Sequence, residues 1–144
     1  MQQSFLYPLP GFLSGVVTER AYNRWLHRKA QWIFHRDQKR GKPYTAKSTR
    51  ALYKALIHLA IVDGGECDPY TGEKLAWELI GTWDTSREQP EGYEEKFARL
   101  PTVDHKDPNV LDFEIVSWRV NTCKNYLTPE KFIALCRLVA RRRR

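Results

Sequence analysis

The feature that most constrains this chain is an Asp-His pair that closes an apolar run, in the segment Val103-Asp104-His105-Lys106-Asp107-Pro108. Asn121 follows sixteen residues after His105, and Lys124 lies three residues further on. A carboxylate and an amide offer hard oxygen ligands to a divalent cation, and a neighbouring imidazole can act as a general base near neutral pH. The spacing therefore predicts a site in which one cation and one base act on a shared phosphodiester.

The residues around this pair resemble the HNH endonuclease family, over a stretch that runs from Arg99 to Phe132. The resemblance rests on Asp-His-x-x-Pro, on Asn-x-x-Lys at this distance, and on the helix start Leu-Thr-Pro-Glu-Lys-Phe. It implies an α+β fold with a ββα-metal core, a hairpin followed by a helix, flanked by N-terminal and C-terminal helices. It also implies that Asp104 is the first metal ligand, His105 the general base and Asn121 the second ligand.

Two residues compete for the position of the family's middle Asn. Asp112 lies nearest, nine residues before Asn121, and Asn109 is the alternative. The resemblance further implies that the cation is Mg2+ or Mn2+ and that DNA is the partner. Three basic residues near the site are expected to contact DNA phosphates as charged donors: Lys106, Arg119 and Lys124.

Many HNH proteins brace the hairpin with a zinc ion held by two Cys-x-x-Cys pairs. Here the matching positions read Cys67-Asp68-Pro69-Tyr70 and Ser117-Trp118-Arg119-Val120, so one cysteine of four is present. A structural zinc requires a full tetrahedral set of ligands, and we therefore expect no structural zinc. We expect the hairpin to be held by apolar packing of Tyr70, Val120 and Trp118, with Cys67 as a small buried side chain.

Length and composition predict one compact domain over residues 1–144. The chain has 42% hydrophobic side chains and five tryptophans, enough for a sizeable core at the common domain size of roughly 100–150 residues. We divide it into a basic helical part at 1–63, a nuclease-like core at 64–128, and a C-terminal helix with an arginine tail at 129–144. Three cysteines without a paired pattern, no signal-peptide pattern and no membrane-length apolar run predict a cytoplasmic protein with no membrane partner.

Charge is distributed unevenly along the chain, whose net charge is +7. Residues 1–62 carry eleven basic side chains against two acidic ones, residues 63–116 carry five against fourteen, and residues 117–144 carry eight against one. Two basic ends around an acidic centre suit a protein that grips DNA phosphates with its outer segments. The acidic side chains of the centre are otherwise interpreted as a solvated face.

Periodicity predicts two helices in the N-terminal part. The first runs from Thr18 to Lys39 and stops at Gly41, and the second runs from Ser48 to Asp63. Their apolar stripes are expected to pack in the core: Tyr22, Trp25, Leu26, Trp32 and Ile33 in the first helix, and Leu52, Ala55, Leu56, Leu59 and Ala60 in the second.

Two basic segments are candidates for contacts with the DNA backbone. One is the outer face of the first helix, with Arg20, Arg24 and Arg28, and the other is the tail from Arg141 to Arg144. Each is either a phosphate contact surface or a solvated segment. The salt dependence of DNA binding distinguishes the two interpretations.

The hairpin strands are expected at Phe97–Val103 and Phe113–Val116, joined by Lys106–Asp112. Ser117 or Trp118 then opens a helix that carries Asn121 and Lys124 on one face. Residues 84–96 are polar and are expected to form an exposed loop with a short helical turn.

Thr128 and Pro129 predict the start of the last helix, with the threonine as N-cap and the proline at the first helical position. The residues expected on its inner side are Phe132, Ile133, Leu135, Cys136 and Val139.

These features predict a metal-dependent DNA endonuclease that nicks or cuts the duplex, with a homodimer as a possible assembly. Two other classes stay open: a DNA-binding module with an inactive HNH-like core, and a phage assembly accessory protein. Metal-dependent nicking of a plasmid distinguishes the first class from the other two.

Overall fold

A computed structural model describes residues 6–82 and 92–143 of the chain. Within these ranges the protein has a mixed α+β fold, with five α-helices and one antiparallel hairpin of two strands. In chain order the elements are α1 (Glu19–Arg40), α2 (Arg50–Gly64), α3 (Tyr93–Phe97), β1 (Pro101–His105), β2 (Phe113–Ser117), α4 (Trp118–Lys124) and α5 (Pro129–Arg142). None of the helices in the described ranges is long and apolar enough to cross a membrane.

Helix α1 begins and ends where local chemistry predicts. The Thr18 hydroxyl accepts a hydrogen bond from the Ala21 amide at 3.1 Å, and the helix ends at Gly41, whose φ of 68° favours glycine. The expectation that Trp32 packs in the core is wrong, because its side chain is 78% exposed. Trp25 is buried against Trp77, with ring centroids 5.0 Å apart, whereas no ring in the described part of the chain covers Trp32.

Helix α2 is confirmed, but its buried face differs from the predicted one. Its core row consists of Tyr53, Ile57 and Ile61, spaced four residues apart and fully buried. Leu52 and Leu59, which we expected to be buried, are exposed. This helix is apolar on more than one side, so periodicity alone does not select the side that meets the hairpin.

The hairpin pairs β1 with β2 in antiparallel register, with Pro101 opposite Ser117 and His105 opposite Phe113. The second strand and the connection lie where predicted, whereas β1 lies further along the chain than residues 97–103. The reason is that Tyr93 and Phe97 stand one helical turn apart, both buried, with ring centroids 4.9 Å apart, and so form α3. The predicted loop at 84–96 therefore ends in a helix, and its part at 84–91 lies outside the described residues.

The hairpin and the two long helices share the main apolar core. Val103, Phe113 and Ile115 of the hairpin are buried in it, and the Phe113 ring meets the Tyr53 ring of α2 at 5.6 Å between centroids. A second, smaller cluster lies beside α4 and consists of Val116, Val120 and Phe132, with Tyr70 and Leu127 packed against it. The packing of β2 against α2 brings His105, the last residue of β1, close to the N-terminal helices.

Helix α5 starts as predicted, because the Thr128 hydroxyl accepts from the Lys131 amide at 3.3 Å and Pro129 occupies the first turn. Phe132 is buried against Tyr70, with ring centroids 5.5 Å apart. The rest of the expected inner side is exposed, so that expectation is wrong for Ile133, Leu135, Cys136 and Val139. Within the described residues, Phe132 alone among the side chains of α5 is buried.

Candidate active site

His105, the last residue of β1, is held by a buried carboxylate from α1. Its Nε2 atom lies 2.8 Å from Asp37 Oδ2. The same carboxylate oxygen accepts a hydrogen bond of 2.7 Å from the Tyr53 hydroxyl of α2. Asp37 is 1% exposed and Tyr53 0%, so this group, the Asp37 cluster, joins the hairpin to both long helices inside the protein.

The Asp37 cluster determines which ring nitrogen of His105 carries the proton when the imidazole is neutral. Burial raises the pKa of Tyr53, and its hydrogen bond to Asp37 raises that pKa further, so the phenol stays protonated and donates. A carboxylate only accepts hydrogen bonds, so the short contact to Asp37 places the ring proton on Nε2. The lone pair of Nδ1 is then the one that can take a proton from a substrate or a water molecule.

Asp37 was not among the candidates that sequence reasoning produced, although the chain carries a signal for it. The residue lies one turn after the buried Ile33 and three residues after the buried Phe34, on the inward side of α1. An acidic side chain at a core position requires a hydrogen-bonding or charged partner. That requirement predicts a buried partner for Asp37, but it does not identify the partner as His105, which lies 68 residues away.

Asp104 forms a buried ion pair with Lys124 of α4. Lys124 Nζ donates to Asp104 Oδ2 at 2.8 Å and to the His105 carbonyl oxygen at 3.3 Å. The lysine is 1% exposed, so its ammonium group faces the hairpin and not the solvent. The expectation that Lys124 contacts a DNA phosphate is therefore wrong in this structure, where the side chain fixes Asp104 and the end of β1 in place.

Asp104 and Asn121 are the two residues expected to bind a divalent cation. Within the described residues, neither Asp104 Oδ1 nor the half-buried Asn121 amide has a hydrogen-bond partner. Every deeply buried polar side-chain atom of the described residues has a hydrogen-bond partner. Since Asp104 Oδ1 and the Asn121 side-chain amide have none, both must reach solvent. Mg2+ binds through few protein oxygens and retains water, and one carboxylate oxygen with one amide oxygen suits that preference. In the described ranges, no group of three or more His, Cys, Asp or Glu side chains is suited to hold a metal ion.

A further carboxylate, Glu114, lies on the same face of the hairpin. It stands directly opposite Asp104 in the strand register, and opposite residues in an antiparallel pair share a face. The Tyr70 hydroxyl donates to Glu114 Oε1 at 2.5 Å, and burial raises the pKa of Glu114. Glu114 was missed because its place opposite Asp104 depends on how the two strands pair, and the predicted bounds of β1 were wrong.

Asp68 joins segments 67–70 and 117–120, which were expected at zinc-binding positions from the resemblance to HNH proteins. Its Oδ1 accepts from the amides of Tyr70 and Thr71 at 2.7 and 2.9 Å, and its Oδ2 accepts from the Ser117 amide at 2.7 Å. Three backbone donors around one buried carboxylate bind the 67–70 turn to the start of α4. The expected packing of Tyr70 and Val120 is observed in the smaller cluster, whereas Trp118 packs against the main core.

Cys67 is exposed, so the expectation of a buried thiol is wrong. It lies at the edge of the 67–74 turn, where it forms an isolated bridge with Lys74. The bridge is a backbone contact and leaves the side chain facing solvent.

The other predicted site residues lie at the rim of the site. Asn109 donates from its backbone amide and its side chain to Asp107, at 2.9 and 3.3 Å, and Asp112 pairs with Lys106 at 3.6 Å. Arg119 forms an exposed ion pair with Glu73. Among the described residues, neither Asn109 nor Asp112 bonds to Asp104 or His105, so no contact favours one of these two candidates over the other.

The predicted DNA-contacting arginines of α1, Arg20, Arg24 and Arg28, are all exposed. In the C-terminal tail, residues 141–143 are exposed and residue 144 lies outside the described part. Both basic segments are therefore accessible to a polyanion.

Comparison with known proteins gave no match to a family model, to a curated protein sequence or to a solved structure.

Proposed function

We propose that the chain is a metal-dependent DNA endonuclease that hydrolyses phosphodiester bonds. His105 is the general base, and Asp104 and Asn121 are the ligands of one divalent cation, Mg2+ or Mn2+. The hairpin and α4 then form the ββα-metal core of an HNH-like nuclease. The observation that carries the proposal is the Asp37 cluster, which fixes the imidazole of His105, while the adjacent residue of β1, Asp104, keeps one carboxylate oxygen outside any hydrogen bond.

Each group in the proposed reaction has a task that its contacts support. His105 Nδ1 takes a proton from a water molecule while the water oxygen attacks phosphorus and the bond from phosphorus to the 3′ oxygen breaks. Asp37 keeps the ring oriented and offsets the positive charge that the ring gains. When bound, the cation supplies stabilisation of the charge that develops on the phosphate and on the leaving 3′ oxygen. That oxygen leaves as a hydroxyl after it takes a proton from solvent.

A second candidate function is DNA binding by an inactive HNH-like module. The observation that favours it is the Lys124 contact, because the ammonium occupies one oxygen of Asp104 and offsets its charge. Both candidates share the exposed arginines of α1 as phosphate contacts, and such contacts make affinity depend steeply on salt. The candidates therefore differ in cleavage and not in binding. A phage assembly accessory protein would show neither cleavage nor salt-sensitive binding of DNA.

The endonuclease proposal predicts that the purified protein converts supercoiled plasmid to the nicked or linear form when Mg2+ or Mn2+ is present. Conversion should stop when EDTA removes the cation. Gel electrophoresis of a time course measures the rate. Salt-sensitive retention of the plasmid without any conversion, in every divalent cation tested, would support the inactive module instead.

The metal-site proposal predicts that Asp104→Asn weakens Mn2+ binding more than Asn121→Ala does. A carboxylate brings a charge to the cation and an amide does not, so the loss for Asp104→Asn should be at least about tenfold. Asparagine is preferred to alanine at this position because its side-chain oxygen can still accept from the buried Lys124. Isothermal titration calorimetry provides the measurement, with Glu130→Gln at the exposed start of α5 as the matched control. Equal affinity in all four proteins would place the cation elsewhere.

A further inference from the structure

The outer face of α1 presents an exposed indole in the middle of a basic row. Trp32 is 78% exposed, and Arg28 and Arg36 lie one turn before and one turn after it. Exposed basic side chains lie within about 80° of Trp32 around the helix: Arg24, Arg28, Arg36, Lys39 and Arg40. An isolated exposed aromatic side chain is common, and the charge that surrounds Trp32 distinguishes it from such a residue.

No exposed acidic side chain of α1 lies within three turns of Trp32. Glu19 is the first residue of the helix, and Asp37, the other acid, is buried against His105. The basic surface extends onto α2, since Arg50 Nη2 lies 3.2 Å from His35 Nε2. The pKa of Lys29 is lowered by burial first, and then by the charges of Arg28 and Arg36, as expected where cations are concentrated. The face therefore attracts a polyanion.

The indole narrows the class of polyanion. Guanidinium groups bind phosphates, and an aromatic ring stacks on a base whose face is open. In a duplex the base faces are covered by their neighbours, so the ring has nothing to stack on. Single-stranded nucleic acid offers both groups at once, a phosphate chain and open bases.

An anionic membrane surface is the competing polyanion. A helix that binds a bilayer interface needs a broad apolar face beside its basic one. In α1 every other apolar side chain is buried or half-buried, so the face offers a single indole. That arrangement suits a stacking contact and does not supply an interfacial anchor.

We propose that the face of α1 formed by Arg28, Trp32 and Arg36 binds single-stranded nucleic acid, with the indole stacked on a base. This site goes beyond the proposed cleavage and is separate from it in space. Trp32 and Asp37 are five residues apart, hence about 140° around the helix and about 7.5 Å along its axis. Strand binding at Trp32 therefore needs neither His105 nor a cation.

The test is fluorescence anisotropy of a labelled oligothymidylate titrated with the full chain in EDTA, where the proposed cleavage cannot occur. Trp32→Ala should weaken binding by about 5- to 150-fold, the range found when a stacking aromatic is removed. Trp32→Phe should restore part of the affinity because a smaller ring still stacks. Leu59→Ala, which removes an exposed apolar side chain of α2, is the matched control and should bind like the wild type.

Salt dependence and two further ligands complete the test. Trp32→Ala should leave the log–log salt slope unchanged, whereas an Arg28→Gln/Arg36→Gln double variant should reduce it by about 0.7 for each phosphate that is no longer neutralised. The loss caused by Trp32→Ala should be smaller for a duplex of the same length. Wild-type affinity of Trp32→Ala for the oligothymidylate would overturn the proposal, as would binding to phosphatidylserine vesicles without binding to the oligonucleotide. Because the binding assay contains no cation, absence of plasmid cleavage would leave this result unaffected.

Discussion

Replacing His105 with alanine is expected to lower the single-turnover rate of DNA cleavage by about 10²- to 10⁴-fold, the usual effect of losing a general base. The reason is that Nδ1 of this ring takes the proton of the attacking water in the proposed reaction. DNA affinity should change little, because His105 is buried and forms its hydrogen bond with Asp37 inside the protein. Rapid-quench measurement at saturating enzyme separates the rate from affinity.

In the alanine variant, Tyr53 is the one described side chain that still donates to Asp37. Part of the loss of cleavage can therefore come from lower stability of the protein. His105→Gln is therefore the companion variant, since its side-chain amide can donate to Asp37 but cannot act as a base near neutral pH. Both variants should be inactive, and thermal unfolding should show the glutamine protein to be the more stable of the two. Cleavage by the folded glutamine variant at the wild-type rate would remove His105 from the mechanism.

Asp37→Asn is expected to reduce the cleavage rate by up to about 10⁴-fold, the loss known for the equivalent change in a Ser-His-Asp triad. The asparagine amide can donate to Nε2 of His105, and this favours the tautomer with its proton on Nδ1. Nδ1 then has no lone pair with which to accept a proton. DNA affinity should stay close to that of the wild type because Asp37 is enclosed by α1, α2 and the hairpin.

The spectroscopic test of this prediction is ¹⁵N NMR of the His105 ring, which distinguishes the two neutral tautomers. The wild type should carry the proton on Nε2, and Asp37→Asn should carry it on Nδ1. Tyr53→Phe is the matched control, since it removes the other hydrogen bond to Asp37 Oδ2 and leaves the carboxylate as an acceptor. An unchanged tautomer in Asp37→Asn, together with wild-type turnover, would show that Asp37 serves the fold alone.

Helix ends could be predicted from the sequence because they depend on residues within one turn. Thr18 and Gly41 bound α1 and Thr128 begins α5, as expected from capping chemistry. The Asp-His pair was expected directly after a first strand at Phe97–Val103, and in the structure both residues belong to β1. The start of β1 was misplaced because Tyr93 and Phe97 suit a short helix as well as a strand, and packing on the main core decides between them.

The parts of the site that sequence reasoning missed all depend on contacts between distant residues. Asp37 meets His105 from another helix, and Glu114 meets Asp104 through strand register. The helical spacing of Lys124 predicted its shared face with Asn121 but not its burial against Asp104. Periodicity likewise identifies the apolar side of α5 and the aromatic position Trp32, but it does not show whether another element covers them.

The measurement that tests the central claim most directly is plasmid nicking by the wild type and by His105→Gln, run in parallel with Mg2+ and with EDTA, followed by DNA ligase treatment. Hydrolysis with the 3′ oxygen as leaving group yields a 3′ hydroxyl and a 5′ phosphate, the ends that ligase joins. Nicks are expected only for the wild type with Mg2+, and ligase should seal them. Nicking that persists in EDTA, that His105→Gln performs at the wild-type rate, or that ligase cannot seal would contradict the central claim.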